Sequence, residues 1–252
     1  MRDIPIKTLP CRVQKMERLA SDVMALHLRL PANERLPSSW PDSTSGSDPR
    51  RQAPRRAMAN APHDDEHFAA APAALHRRHL HRVSSAHARA QILRFEGPFG
   101  TFFLRGDSDK PIVFLASGTK ASLRSRAFWE LPRSTAASSG RWCCTGAART
   151  RADLYLDALP RQWAAAHPNF RYVPVLSEAR PEEAWTGRTG FVHQAVMEDL
   201  PDLSAYHVYA CGAPVMVEAA HRDFTSRCRL PGTAATPTRS PPRATAAKYG
   251  DS

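Results

Sequence analysis

Cysteine motifs and long apolar runs are the features this chain of 252 residues has least of. Its five cysteines form no Cys-x-x-Cys pair and no disulfide spacing, which excludes a disulfide-stapled scaffold and a four-cysteine iron–sulfur cluster. No apolar stretch reaches membrane-spanning length, and the amino terminus lacks the apolar core of a secretory signal. We therefore expect a cytoplasmic protein without disulfides.

Metal-ligand spacing is also missing from the part of the chain that is richest in histidine. The residues concerned are His76, His79, His81 and His87. They match no zinc-binding pattern, so we expect no metal site.

Basic residues are plentiful but unevenly spread. The net charge is +11, and the excess of basic over acidic residues is concentrated in four blocks at residues 37–56, 67–91, 120–151 and 232–252. Apolar periodicity is lost inside these blocks. They carry almost no aromatic residues between the basic ones and no nucleic-acid-binding motif, so a specific nucleic-acid partner is not expected.

The stretch at residues 112–119 organises the rest of the chain. Five apolar residues from Ile112 to Ala116 predict a central parallel strand that is buried on both faces. Ser117-Gly118-Thr119 then forms a small-residue turn, which is typical of a site where a dinucleotide pyrophosphate approaches the backbone. A parallel strand ending in Ser-Gly is also common without any ligand.

The remaining pattern predicts two kinds of fold. Alternating residues at 11–16 and 23–31, with a strand at 92–102, predict an antiparallel β-barrel whose middle strands are damaged. The second half predicts a doubly wound α/β domain. Its expected elements are helices near 152–165, from Gly190 and from Pro214 to about Cys228, and strands at 170–176 and 208–211. We assign residues 1–106 to the barrel, 107–231 to the α/β domain and 232–252 to a disordered tail.

Three stretches carry a resemblance to a known family. They are Gly97-Pro98-Phe99-Gly100, Leu115-Ala116-Ser117-Gly118-Thr119 and Tyr209-Ala210-Cys211-Gly212-Ala213-Pro214. The chain resembles the ferredoxin–NADP reductase family, and within it the CDP-6-deoxy-3,4-glucoseen reductases and NAD(P)H–flavin reductases. The resemblance implies an FAD-dependent, monomeric oxidoreductase. It would transfer a hydride from NAD(P)H to flavin and pass electrons to an iron–sulfur or other acceptor protein or domain.

The resemblance also implies roles for individual residues. Cys211 would lie against the nicotinamide as the catalytic residue, although a buried cysteine that packs as a small apolar side chain explains it too. The implied nicotinamide-nucleotide contacts are Ser117, Gly118, Thr119, Gly212, Ala213 and Pro214, and Asp153, Leu154, Tyr155, Ser177 and Glu178 match positions near the ribose. The implied flavin contacts are Arg55, Arg56, Met58, Asn60, Gly97 and Pro98. Solvated arginines and a plain barrel corner are the alternatives on the flavin side.

Three family motifs are interrupted in this chain. Pro54-Arg55-Arg56-Ala57 stands where the flavin motif Arg-x-Tyr-Ser is expected, the Gly-Gly-x-Phe-Thr loop is missing from residues 67–91, and the nicotinamide loop stops at Lys120. Regrouping the codons of the basic blocks in a shifted frame permits two of the missing motifs, Gly-Phe-Ala-Pro after Thr119 and Gly-Gly-Ile-Phe-Thr at residues 77–82, and it permits Gly-Lys-Arg-Arg at residues 51–55. We interpret the blocks as compensated frameshifts, arising from sequencing error or from gene decay. A second interpretation is an inactive, partly disordered product that binds anions nonspecifically.

Overall fold

A computed structural model describes residues 7–20, 23–34, 43–46, 56–62, 67–72, 92–97, 108–117, 142–155, 157–232 and 235–237. Within these residues the chain forms an antiparallel barrel followed by a parallel sheet with helices on both faces. Both predicted fold classes are confirmed.

The barrel is built from six strands in the order β1-β2-β5-β4-β3-β6, and every neighbouring pair is antiparallel. Along β1, Leu9, Cys11 and Val13 are buried, while the residues between them are exposed. This two-residue period gives the strand one face toward the barrel interior and one toward solvent. The strands are β1 (Lys7–Ala20), β2 (Val23–Arg29), β3 (Ser43–Gly46), β4 (Arg56–Pro62), β5 (His67–Pro72) and β6 (Ile92–Gly97).

The middle strands of the barrel are short but complete its closure. β3 and β5 lie inside basic blocks where the sequence shows no apolar period, and β4 begins at the edge of one. Each is hydrogen-bonded to a neighbour on both sides. Backbone pairing therefore forms the barrel where the side-chain pattern alone predicts damage.

The second sheet has six parallel strands in the order β10-β9-β8-β7-β11-β12. The predicted central position of β7 is confirmed, since Ile112 to Ala116 are all buried. The strands are β7 (Ile112–Ser117), β8 (Trp142–Ala148), β9 (Phe170–Leu176), β10 (Arg188–Thr189), β11 (His207–Cys211) and β12 (Ala235–Pro237).

The sequence of residues 120–151 shows no pattern that predicts a regular element, but part of this block forms strand β8. Trp142, Cys144 and Thr145 are buried between β7 and β9. Strands that are covered on both faces need no alternation, and small residues such as Gly146 fit between their neighbours. The pairing of β8 with two buried strands outweighs its weak intrinsic pattern.

Three helices cover the parallel sheet. α1 (Ala158–Ala166) packs Trp163 and Ala164 against the face that carries Phe114 and Cys144. α2 (Val192–Asp199) and α3 (Pro214–Arg227) pack against the opposite face, over Val113 and Leu115. The helix predicted near 152–165 begins later, because a 3₁₀ turn at Arg151–Asp153 precedes it.

The domain boundaries remain predictions, with one local correction. Residues 235–237, inside the expected tail, form β12 and pair with β11. In the described part of the chain, no helix combines the length and apolarity needed to cross a membrane.

Candidate nucleotide-binding site

The strand order of the parallel sheet reverses between β7 and β11. After β7 the chain adds β8, β9 and β10 on one side of it, and it then returns to add β11 on the other side. In open α/β sheets, ligands bind beyond the carboxyl ends of the strands at such a reversal. Three residues lie at this point. Ser117 is the last residue of β7, Cys211 is the last residue of β11, and Gly212 follows β11.

Gly212 lies directly against Ser117. A Cβ atom at Gly212 would stand 2.9 Å from the Ser117 carbonyl oxygen, 2.1 Å from its Oγ and 2.8 Å from Met216 Cε. Any side chain here would push the ends of β7 and β11 apart, because a backbone oxygen cannot rotate away. The absence of a side chain at Gly212 therefore allows the carboxyl ends of β7 and β11 to pack closely against each other.

Cys211 is buried, with 8% of its surface exposed, next to Ala116 in the sheet register. It belongs to the core cluster of Phe114 and Tyr209, whose rings stack with their centroids 5.1 Å apart. The carboxyl end of β11 is thus rigidly supported. Its predicted role against the nicotinamide remains a prediction, because core packing also explains this burial.

Helix α3 begins immediately after Gly212. Ala213 is its extended N-cap residue and Pro214 its first helical residue, which is where proline fits a helix best. The Ala213 carbonyl accepts hydrogen bonds from the backbone N–H groups of Met216 and Val217. Ala213 and Pro214 are exposed, so the positive end of the helix dipole faces solvent beside Gly212.

The loops after β8 and β9 are joined into one surface. Ser177 and Glu178 donate backbone hydrogen bonds of 3.0 and 2.9 Å to the carbonyls of Ala148 and Arg149. Asp153 closes the β8 loop on itself, since its Oδ2 accepts from the Thr150 N–H and hydroxyl at 3.1 and 2.9 Å. The structure thereby brings the predicted ribose positions of both loops to the same sheet edge.

Two features of this edge were missed by sequence reasoning. Glu183 links the loops, because its Oε1 and its backbone carbonyl accept from the Arg151 N–H and guanidinium at 3.2 and 3.1 Å. Trp185 lies over Gly187, where a Cβ would stand only 2.4 Å from the indole ring. The Arg151–Glu183 contact cannot be predicted from sequence spacing, because its partners are 32 residues apart. The Trp-Thr-Gly tripeptide is the only local signal for the second feature.

Three of the predicted flavin residues, Arg56, Met58 and Asn60, lie within β4. Gly97 ends β6 and pairs with Lys7. Other predicted contacts lie outside the described residues: Arg55, Pro98, Gly118 and Thr119.

No group of three or more potential metal ligands comes together in the described ranges.

Comparisons with known proteins agree with this architecture. Residues 134–222 match the family described as the oxidoreductase NAD-binding domain. The chain is 36% identical over 242 residues to the CDP-6-deoxy-L-threo-D-glycero-4-hexulose-3-dehydrase reductase of Yersinia pestis, covering 86% of this chain and 64% of that protein. It is 33% identical over 245 residues to protein RfbI of Salmonella typhimurium, with the same two coverages.

A solved structure shows the same arrangement. The Amycolatopsis cytochrome P450 reductase GcoB aligns with a TM-score of 0.78 and 26% identity, over 93% of this chain and 70% of that one. The chain spans 64% of the length of each of the two curated relatives described above. Together, these matches show that the chain carries an oxidoreductase NAD-binding domain and is homologous to reductases of the ferredoxin–NADP reductase type.

Proposed function

We propose that this chain is a monomeric, cytoplasmic flavoenzyme that takes a hydride from NAD(P)H onto FAD and passes electrons to an iron–sulfur or other acceptor. The observation that carries the proposal is the contact of Gly212 with Ser117 at the reversal of strand order. This close contact brings the ends of β7 and β11 together at the point where dinucleotides bind in open α/β sheets.

The residues at the carboxyl ends of β7 and β11 fit a bound nicotinamide nucleotide. Gly212 allows the ends of β7 and β11 to pack together, and Cys211 offers a small thiol at the end of β11, in the core cluster of Phe114 and Tyr209. Ser117 and the exposed start of α3 supply a hydroxyl and a positive helix end for the pyrophosphate. These groups bind and orient the nucleotide, while the hydride chemistry belongs to the nicotinamide and flavin rings.

The residues of the barrel fit the family's flavin site only in part. Arg56, Met58 and Asn60, which the family resemblance implies as flavin contacts, belong to strand β4. Arg56, however, occupies the position of the motif tyrosine, and Ala57 that of the serine. The motif tyrosine that covers the flavin ring is therefore absent, and the resemblance leaves Arg55 or Arg56 to pair with the flavin phosphate in place of the motif arginine.

The proposal is tested with a glycine pair. We expect purified protein to show flavin absorbance and to oxidise NAD(P)H with ferricyanide as acceptor. Gly212→Ala should lower kcat/KM for the nucleotide by about tenfold or more, because the added methyl group overlaps the Ser117 carbonyl and must displace a strand end. Gly232→Ala is the matched control, since a Cβ at Gly232 meets nothing within 4 Å.

Two results would contradict the proposal. A colourless, protease-sensitive protein that oxidises neither NADH nor NADPH would support the inactive product with nonspecific anion binding. If Gly212→Ala and Gly232→Ala have equal activities, the reversal point is not the nucleotide site.

A further inference from the structure

Met216, in the first turn of α3, is a sulfur-bearing side chain that the proposed hydride transfer does not use. A Cβ at Gly212 would stand 2.8 Å from the terminal methyl carbon of Met216, Cε, and 2.1 Å from the Ser117 hydroxyl oxygen. The methyl group, the hydroxyl group and the glycine backbone therefore meet at one point. This contact joins the start of α3 to the ends of both β7 and β11.

The side chain of Met216 is half-buried. On its inner side it packs against the apolar cluster beneath α3, which includes Val113. Val215, the residue before it, is 74% exposed, and Ala213 and Pro214 are exposed as well. Part of Met216 is thus in contact with solvent, so a small solute can reach this side chain while the helix stays folded.

The cysteine thiols of the α/β part are less open to oxidation than this thioether. Burial raises the pKa of the thiols of Cys143, Cys144 and Cys228. The thiolate is the reactive form of cysteine, so thiols with raised pKa values react slowly with oxidants. The sulfur of Met216 carries no proton, and its reactivity does not depend on such an equilibrium.

A reductase of the proposed kind produces an oxidant of thioethers whenever dioxygen replaces its acceptor. Dioxygen then takes up two electrons and two protons and leaves as hydrogen peroxide. When peroxide meets methionine, the sulfur lone pair attacks one peroxide oxygen, an S–O bond forms and the O–O bond breaks. The other oxygen leaves as hydroxide and takes the proton of the first, which gives water. The sulfur is oxidised by two electrons to the sulfoxide.

Sulfoxide formation at Met216 places a polar oxygen at the contact with Gly212 and Ser117. A polar atom that loses water without gaining hydrogen bonds disfavours the packed state. From this geometry we propose that Met216 is an oxidation site, at which hydrogen peroxide loosens the junction of α3 with β7 and β11 and thereby weakens nucleotide binding. The inference rests on the proposed function for the source of peroxide and for the effect on the nucleotide, whereas the oxidation of Met216 can be measured without either.

Three variants test the site. Met216→Leu keeps the side-chain volume and cannot be oxidised, and Met216→Gln imitates the polar sulfoxide. Met197→Leu is the matched control, because Met197 is also half-buried and packs against the same cluster from α2. We expect peroxide to raise the KM for NAD(P)H about tenfold in the parent and in Met197→Leu, and less than about twofold in Met216→Leu. Untreated Met216→Gln should resemble the oxidised parent.

Reversal of the effect identifies the oxidised sulfur. Dithiothreitol reduces the sulfenic acids and disulfides of cysteine, whereas methionine sulfoxide reductases A and B reduce the two sulfoxide epimers. The KM of the treated parent should recover with these enzymes and dithiothreitol together, and not with dithiothreitol alone. This comparison separates Met216 from the predicted catalytic residue Cys211.

Two further measurements need no enzymatic activity. Peptide mass spectrometry of the treated parent should find the Met216 sulfoxide while circular dichroism still shows a folded protein. Amide exchange at the start of α3 should be faster in the oxidised parent and in Met216→Gln than in the untreated parent.

Unoxidised Met216 in the treated, folded parent, an equal rise of KM in the parent and Met216→Leu, or recovery with dithiothreitol alone would overturn the assignment of Met216. Sulfoxide at Met216 with faster amide exchange, in a protein that oxidises no NAD(P)H before treatment, would instead overturn the proposed function and leave the oxidation site standing.

Discussion

At the scale of single residues, His193 is the buried ionisable group that connects α2 with α3. Its side chain is buried, and its Nε2 lies 3.3 Å from Asp223 Oδ2. Its Nδ1 has no hydrogen-bond partner among the described residues. Burial lowers the pKa of His193 from its usual 6.5, and the neighbouring Arg222 lowers it further, while Asp223 acts in the opposite direction.

This depressed pKa predicts a loss of stability in mild acid. The unfolded histidine binds a proton at a higher pH than the folded one, so the free energy of unfolding should fall as the pH drops below about 6.5. His193→Gln should reduce that fall in urea denaturation compared at about pH 7.5 and about pH 5.5. His221→Gln, at an exposed histidine on α3, is the control and should leave the pH dependence unchanged. An identical fall in all three proteins would contradict the role of His193.

At the scale of elements, Arg188 on β10 holds α2 in place. Its guanidinium donates to the Ala195 carbonyl at 3.1 Å and to Glu198 Oε2 at 3.0 Å, and it also pairs with Asp199. Arg171 on β9 reaches the same Asp199 carboxylate at 3.0 Å. Two strands are thus tied to the carboxyl-terminal part of one short helix, where positive charge is favourable.

Removing this arginine should loosen α2. We expect Arg188→Met to lower the free energy of unfolding by about 1–3 kcal/mol, since charged hydrogen bonds are lost and Asp199 keeps one partner. Amide exchange across Val192–Asp199 should accelerate as well. Arg180→Met is the matched control, because Arg180 is exposed and the hydrogen bond described for it comes from its backbone. Equal stabilities for the two variants would show that the network contributes nothing.

At the scale of the whole molecule, buried cysteines lie both in the barrel and in the α/β part, so their reactivity can follow the unfolding of each. Cys11 lies in the barrel interior, and burial raises its pKa to about 12. Cys144, Cys211 and Cys228 are buried in the α/β part, and burial raises the pKa of Cys144 well above its usual value. Buried thiols with raised pKa values react slowly with disulfide reagents until their surroundings unfold.

Thiol labelling in increasing urea therefore tests the predicted division into two domains. We expect Cys11 to become reactive at a different urea concentration from Cys144, Cys211 and Cys228, as identified by mass spectrometry. Half-buried Cys143 should be labelled before these three. A single midpoint for all the buried cysteines would mean that barrel and sheet unfold as one unit.

Elements with strong local signals could be predicted from the chain itself. The apolar run at Ile112 and the strand Phe170–Leu176 were predicted correctly, and Pro214 marks the start of α3 as expected. β8 could not be predicted in this way, because Cys143 to Ala148 offer small residues without a period and only their two neighbouring strands make them a strand. The frameshift interpretation of the basic blocks stays a prediction, which resequencing the coding DNA would test.

The order of barrel and α/β fold, the central strand β7 and the start of α3 at Pro214 follow from the amino-acid pattern alone, because periodicity and proline act locally. Three contacts depend instead on the folded chain: Gly212 meets the Ser117 backbone, Glu183 ties the β9 loop to Arg151, and Trp185 lies on Gly187. The first two contacts join residues far apart in the chain, and the third depends on a loop conformation that the tripeptide alone does not specify. Sheet register and loop geometry determine which residues meet in such contacts.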